Sequence, residues 1–214
     1  MTADRYFGTY ARFETVSKRD AAVLLGSDCI IGDNYLVDIR HSEGSTRTWI
    51  VNRFGTDIGF LDECLSHKIS VFKARGWIVR AILTFVAFTE EPAPGHYWGE
   101  VAILAYDPSC RHSFDQFTEK LSHCISQGIR PEIGFGNQAV DKIAQSDGAW
   151  VPTQRAPQRS LPKGTVPLKQ SRSLIDMLVN KGRQGNKGCY AASWVFLLAV
   201  IAVILFGLKS CLVF

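Results

Sequence analysis

A chain of 214 residues is long enough for one domain with its own hydrophobic core and for further segments beside it. Its 24 Lys and Arg against 20 Asp and Glu give a net charge of +4, but residues 1–150 carry 15 basic against 19 acidic side chains, and residues 151–188 carry eight basic side chains against Asp176 alone. The positive charge therefore belongs to a short segment, which argues against a domain with an evenly basic surface for nucleic acid.

The first predicted elements alternate between strand and helix. The stretch YFGTYARFET predicts a strand, and SKRDAAVLLG predicts a short helix with Ser17 as its N-cap and Gly26 at its end. Two further strands are predicted in YLVDIRHS and RTWIVNRF, with Trp49 and Ile50 on opposite faces of the second.

The rest of the domain adds two amphipathic helices and two long apolar strands. DECLSHKISVFKARG predicts a helix with Cys64, Leu65, Ile69 and Phe72 facing inward, and SFDQFTEKLSHCISQG predicts another. WIVRAILTFVAFTE and YWGEVAILAYDP predict strands joined by the EPAPGH turn. Strands joined by hairpins, with helices inserted, indicate an α+β domain over residues 1–150, either a small antiparallel barrel or an open sheet.

No arrangement of residues in the sequence predicts catalysis. GxSxG and Walker A motifs are missing from it, and with no secretory signal at the N-terminus the six cysteines are expected to stay reduced. The neighbouring Cys and His residues do not have the spacing of a zinc site; they are Cys64 with His67, Cys110 with His112, and His123 with Cys124. We expect no enzyme activity, no metal and no cofactor.

Residues 151–187 have the composition of a flexible linker. Prolines recur at positions 152, 157, 162 and 167 among Gln, Arg and Ser, and few side chains could contribute to a core. The basic charge of this segment has two explanations. The segment is a solvated spacer whose charges set the orientation of the chain in the membrane, or its basic residues contact anionic lipid.

Residues 188–208 are uncharged and rich in Leu, Ile, Val and Phe, which predicts a transmembrane helix. A helix of this length spans roughly 30 Å, about the thickness of the bilayer core. Lys181, Arg183 and Lys187 precede it, and only residues 209–214 follow it. Positive residues favour the cytoplasmic side, so the sequence predicts a single-pass, tail-anchored membrane protein with its N-terminal domain in the cytoplasm.

Residues 49–83, WIVNRFGTDIGFLDECLSHKISVFKARGWIVRAIL, resemble the centre of a HIRAN domain. The shared pattern is a strand, a turn with Gly, Ile-Gly followed by an aromatic residue and Leu, a helix that ends before Gly, and a long strand. The matching positions are Gly55, Ile58, Gly59, Phe60, Leu61 and Gly76. The resemblance extends over roughly residues 6–106 and implies an OB-like barrel with an inserted helix. HIRAN domains fused to remodelling helicases bind DNA ends, so it also implies a possible nucleic-acid ligand.

The candidate contact residues are basic and aromatic side chains of this stretch: Arg47, Trp49, Arg53, Lys73, Arg75 and Trp77. Arginines beside tryptophans suit a surface that stacks nucleic-acid bases. The alternative is that the arginines are solvated charges on strand edges and the tryptophans belong to the core. We therefore expect a non-catalytic binding or adaptor domain with an unknown protein partner, tethered to a membrane. Its alternative is a tethered HIRAN-like domain that binds nucleic acid.

Overall fold

The computed structural model describes residues 5–42 and 45–173. The chain divides into one unit of Met1–Arg172 and another of Ser173–Phe214, and the fold below is that of the first unit. Its elements are β1 (Tyr6–Glu14), α1 (Lys18–Leu25), β2 (Asn34–Ser42), β3 (Ser45–Val51), β4 (Asp57–Leu61), α2 (Glu63–Ala74), β5 (Ile78–Thr89), β6 (His96–Tyr106), α3 (Arg111–Ser126), α4 (Asn137–Gln145) and β7 (Thr165–Lys169).

Six strands close into an antiparallel barrel in the order β2-β3-β4-β1-β6-β5. Closure comes from two residue pairs between β5 and β2, Ala81 with Tyr35 and Ile82 with Asn34. The seventh strand, β7, pairs with β5 outside this ring. The predicted α+β fold with an antiparallel barrel and inserted helices is confirmed at this level, and the closed barrel is consistent with an OB-like architecture.

The barrel interior depends on two glycines that make room for one ring. Phe13 is fully buried, and a Cβ atom built at Gly59 or at Gly99 would lie 2.4 Å from an atom of its ring. Real Cβ contacts are never this short in a close-packed core. Gly59, which enters the sequence analysis only through the HIRAN-like pattern, is thus a packing requirement of β4.

Helix α2 has the termini expected from its sequence. The Asp62 side chain accepts a hydrogen bond of 2.9 Å from the Leu65 N–H, and Gly76 after the helix has a φ of 79°. Leu65 and Ile69 are buried as predicted, but Cys64 is exposed. The buried face is rotated because Ser66 turns inward, where its hydroxyl accepts from the Thr48 N–H.

The segment 151–172 differs from the predicted linker because it packs on the barrel. Its strand β7 pairs with β5 from Thr165↔Thr89 to Lys169↔Val86, along the part of β5 that β2 leaves unpaired. Lys169 donates to the carbonyls of Gly26 and Cys29, at 2.7 Å each. The segment packs on the barrel although it contains few apolar residues, because strand pairing and hydrogen bonds hold it there.

The remaining predictions about the C-terminal part lie outside the described residues. They concern the linker beyond residue 173, the basic residues Lys181, Arg183 and Lys187, the span 188–208 and the tail 209–214. Within the described ranges, no helix is long and apolar enough to cross a bilayer.

Candidate binding surface

The outward face of β2, β3 and β4 carries alternating guanidinium groups and aromatic rings. The rings of Trp49 and Phe60 lie 5.4 Å apart between centroids. Arg47 lies over the Phe60 ring at 4.4 Å, and Arg40 lies over the Trp49 ring at 4.9 Å. We call Arg40, Arg47, Trp49 and Phe60 the platform.

Strand register explains why these side chains meet. Trp49 on β3 lies opposite Asp38 on β2 and opposite Phe60 on β4, and Arg40 lies opposite Arg47. Side chains of residues paired across a sheet share one face, and every second residue returns to that face. The intervening Thr48 and Ile50 on β3 are buried on the inner side, while Arg40 and Arg47 are exposed. The platform therefore faces solvent.

The two arginines of the platform differ in their electrostatic surroundings. Arg40 donates to both carboxylate oxygens of Asp57, at 2.7 and 2.8 Å, and to Asp38 at 2.8 Å. These hydrogen bonds, that of Asp57 first and that of Asp38 second, raise the pKa of Arg40. Among the described residues, Arg47 has no carboxylate within ion-pair distance. Its charge is thus available to a ligand, whereas that of Arg40 is largely neutralised.

A cleft of about 610 Å³ adjoins the platform where β2 and β5 separate. Lys73 and Trp77, from the end of α2 and the turn after it, line this cleft together with Arg40. The Trp77 ring stacks on Phe72 at 5.0 Å with an interplanar angle of 8°. Since Arg40 belongs to both, platform and cleft form a continuous surface of basic and aromatic side chains.

Four of the six predicted contact residues therefore lie on this surface, and two do not. Arg47 and Trp49 belong to the platform, and Lys73 and Trp77 line the cleft. Arg53 lies in the turn between β3 and β4, over the exposed ring of Phe54 at 4.6 Å. Arg75 is the exposed C-cap residue of α2. Neither tryptophan is in the core, so that alternative fails for Trp49 and Trp77.

A second cleft, of about 370 Å³, lies around a buried carboxylate on β6. Glu100, with 10% of its side chain exposed, pairs with Arg130 at 2.9 Å and with Arg159 at 2.9 Å. The Thr84 hydroxyl donates to the same carboxylate at 2.7 Å. Each arginine is also stacked, Arg130 over Tyr10 at 3.9 Å and Arg159 over Phe85 at 4.4 Å. We call Glu100, Arg130 and Arg159 the clamp.

The clamp fastens two segments to the barrel wall. Arg130 follows α3, and Arg159 belongs to the segment that the sequence assigned to the linker. A buried charge is stable only when it is paired and hydrogen-bonded. Here the Glu100 carboxylate forms ion pairs with the guanidinium groups of both arginines. The same packing leaves Tyr10 half-buried, and its pKa is raised mainly by loss of solvation.

Sequence reasoning missed the clamp, although one signal was present. Glu100 is the only charged residue in the apolar strand YWGEVAILAY, and an isolated charge in such a strand requires a buried partner. The identity of that partner could not be read from the sequence, since Arg159 is 59 positions away.

Within the described ranges, no group of three His, Cys, Asp or Glu side chains could hold a metal ion. Compared with known proteins, the chain matches no family model, no curated protein and no solved structure.

Proposed function

We propose that the chain is a non-catalytic binding module that its C-terminal segment tethers to a membrane. The observation that carries the proposal is the solvent-facing platform, which continues into the cleft beside it. Aromatic rings and arginines on an exposed surface are the residues that dominate protein recognition sites, because they contribute large contact areas and directed hydrogen bonds.

The tether rests on the uncharged residues 188–208 and on the basic residues before them. To test it, the full chain with a C-terminal epitope is expressed in cells, and membranes are extracted with alkaline carbonate. We expect the protein to stay in the membrane pellet, and protease added outside intact membranes to remove the N-terminal domain. A matched chain ending at residue 187 should be released. Release of the full chain would refute the tether.

A second candidate ligand is single-stranded nucleic acid, favoured by the guanidinium groups stacked on the rings of the platform. The net charge of residues 1–150 is negative and opposes nucleic-acid binding. The unit Met1–Arg172 opposes it less, since it contains 20 Lys and Arg against 19 Asp and Glu. A nearly neutral unit, in which Arg47 lies over the Phe60 ring with no ion pair to the described carboxylates, suits short strands bound mainly by stacking.

Fluorescence anisotropy of short single-stranded and duplex DNA tests this candidate. We expect single strands to bind more tightly, and binding to weaken roughly 5- to 150-fold in Trp49→Ala, as for the loss of one stacked base. Arg75→Ala, which removes an exposed arginine away from the platform, is the matched control. No binding at low salt would remove nucleic acid and leave a protein partner as the ligand.

A further inference from the structure

One edge of β2 has no partner strand in the described part of the chain. β2 pairs with β3 along its length, from Leu36↔Val51 to Ser42↔Ser45, but with β5 only at Asn34 and Tyr35. β3 in turn pairs with β4 only from Trp49 onwards. The end of the β2–β3 hairpin is thus a two-stranded ribbon that extends past the paired part of the barrel.

The backbone of β2 offers hydrogen-bonding groups at this edge. The carbonyl of Val37 accepts from the Lys73 ammonium group at 3.3 Å, so it points away from β3. Alternate residues of a strand repeat the same orientation, so Ile39 and His41 also present their N–H and C=O groups to the open edge. Lys73 already occupies the Val37 carbonyl, so the template for another strand consists of the groups of Ile39 and His41.

We infer that the open edge of β2 pairs, antiparallel, with the same edge of a second copy of the chain, with Ile39 facing Ile39 of that copy. The contact is isologous, as in a two-fold symmetric dimer. It joins two barrels through a continuous sheet in the order β4-β3-β2-β2-β3-β4.

Charge complementarity selects the second copy as the occupant and fixes the register. Asp38 and Arg40 are both exposed and flank Ile39. Within one copy Arg40 already pairs with Asp38 and Asp57, so a second copy adds two more opposite-charge contacts to this group and leaves no pair broken. Pairing centred on Ile39 places each Asp38 opposite Arg40 of the other copy. Pairing centred on Asp38 would place Asp38 opposite Asp38, and pairing centred on Arg40 would place Arg40 opposite Arg40. Like charges directly opposite each other are destabilising. Edges that avoid association usually carry charges that repel a second copy, whereas this pattern attracts one.

The symmetry has a consequence for the platform. A two-fold axis perpendicular to the joined sheet leaves both platforms on the same face. Two identical surfaces side by side bind a repeated or extended ligand with an effective concentration that a single copy lacks.

Disulfide crosslinking of the full chain in detergent tests the contact. Residues opposite each other in a hydrogen-bonded antiparallel pair have Cα atoms about 5.5 Å apart, within the range of a disulfide. We expect Ile39→Cys to give a crosslinked dimer on mild oxidation, well above the level of the wild type with its own cysteines. Thr46→Cys, on the neighbouring strand and far from the axis, is the matched control. Equal crosslinking at both positions would overturn the inference.

A set of charge variants tests the same register without cysteines. This test remains possible if Ile39→Cys does not fold. By sedimentation equilibrium, Asp38→Arg alone and Arg40→Asp alone should each weaken the dimer at least tenfold. The double variant Asp38→Arg/Arg40→Asp, and a mixture of the two single variants, should restore it. A wild-type chain that stays monomeric, or single variants that dimerise like the wild type, would overturn the inference. Neither outcome bears on the tether, and binding by the platform is tested separately with Trp49→Ala.

Discussion

At the scale of single residues, some charged side chains are neutralised by ion pairs within the protein, and others have charges that a ligand can contact. Glu100 lies in a buried strand and is satisfied by two arginines from distant segments, and Arg40 is held by Asp57. Arg47 lies in the same sheet as Arg40 and has only ring contacts among the described residues. A residue's accessibility to a ligand therefore depends on its partners, which sequence patterns do not reveal.

Replacing the buried carboxylate of the clamp should be costly. Glu100→Ala leaves the guanidinium groups of Arg130 and Arg159 partly buried without a counter-charge, and breaking a buried pair typically costs about 3–5 kcal/mol. We expect a loss of this size in the free energy of unfolding measured with urea. Asp141→Ala removes the exposed Arg5–Asp141 pair and should cost less than about 1 kcal/mol. Similar losses in both variants would show that the clamp adds little stability.

At the scale of elements, the sequence predicted those whose periodicity is strong. The barrel strands β1, β2, β3, β5 and β6 and the amphipathic helices α2 and α3 were all expected. β7 was not expected, because its residues TVPLK include a proline and lie in a segment rich in polar residues. Its strand conformation comes from the free edge of β5, an influence of tertiary structure that a local pattern does not contain.

The candidate surface was predictable only in part for the same reason. Alternation along β3 placed Trp49 on one face, but which face pointed outward depended on closure of the barrel. In the sequence Phe60 was identified only as a position that matches the HIRAN-like pattern. Its contact with Arg47 follows from the β3–β4 register. Register between strands is set by many distant contacts, so ring stacking across strands could not be derived from spacing.

Removing residues 151–172 should destabilise the barrel unit. The deletion takes away β7 and leaves Glu100 with one of its two arginines. A loss of about 3–5 kcal/mol corresponds to a melting temperature at least about 6 °C lower for a unit of this size. Differential scanning calorimetry of chains ending at residue 150 and at residue 173 measures it. Equal melting temperatures would mean that the segment is dispensable, as a flexible linker would be.

At the scale of the whole molecule, buried tyrosines should set an alkaline limit to stability. Burial raises the pKa values of Tyr6, Tyr10 and Tyr35 above the ordinary value. A raised pKa means that the folded state holds its proton more tightly than the unfolded chain. The stabilisation is therefore complete below about pH 10, the ordinary pKa of tyrosine, and is lost as the pH rises above it.

Urea unfolding between pH 8 and pH 11 should show this decline, and Tyr35→Phe should make it less steep. The hydroxyl of Tyr35 is buried, and phenylalanine keeps the ring but has no proton to lose. Tyr97→Phe, which removes the hydroxyl of a partly exposed ring, is the control for loss of a tyrosine hydroxyl. A stability that stays level up to pH 11 would contradict the expected linkage.

The pairing of β1 with β6 has a consequence for the moment at which the protein is made. Tyr6 pairs with Tyr106, so the start of the first strand has no partner until a residue 100 positions later is synthesised. At translation rates of about 5–20 residues per second, that wait lasts on the order of 5–20 s. The arginine that completes the clamp, Arg159, is made later still. Until β6 is made, β1 has only its short pairing with β4, so a factor that shields its apolar residues at the ribosome should raise the yield of folded protein.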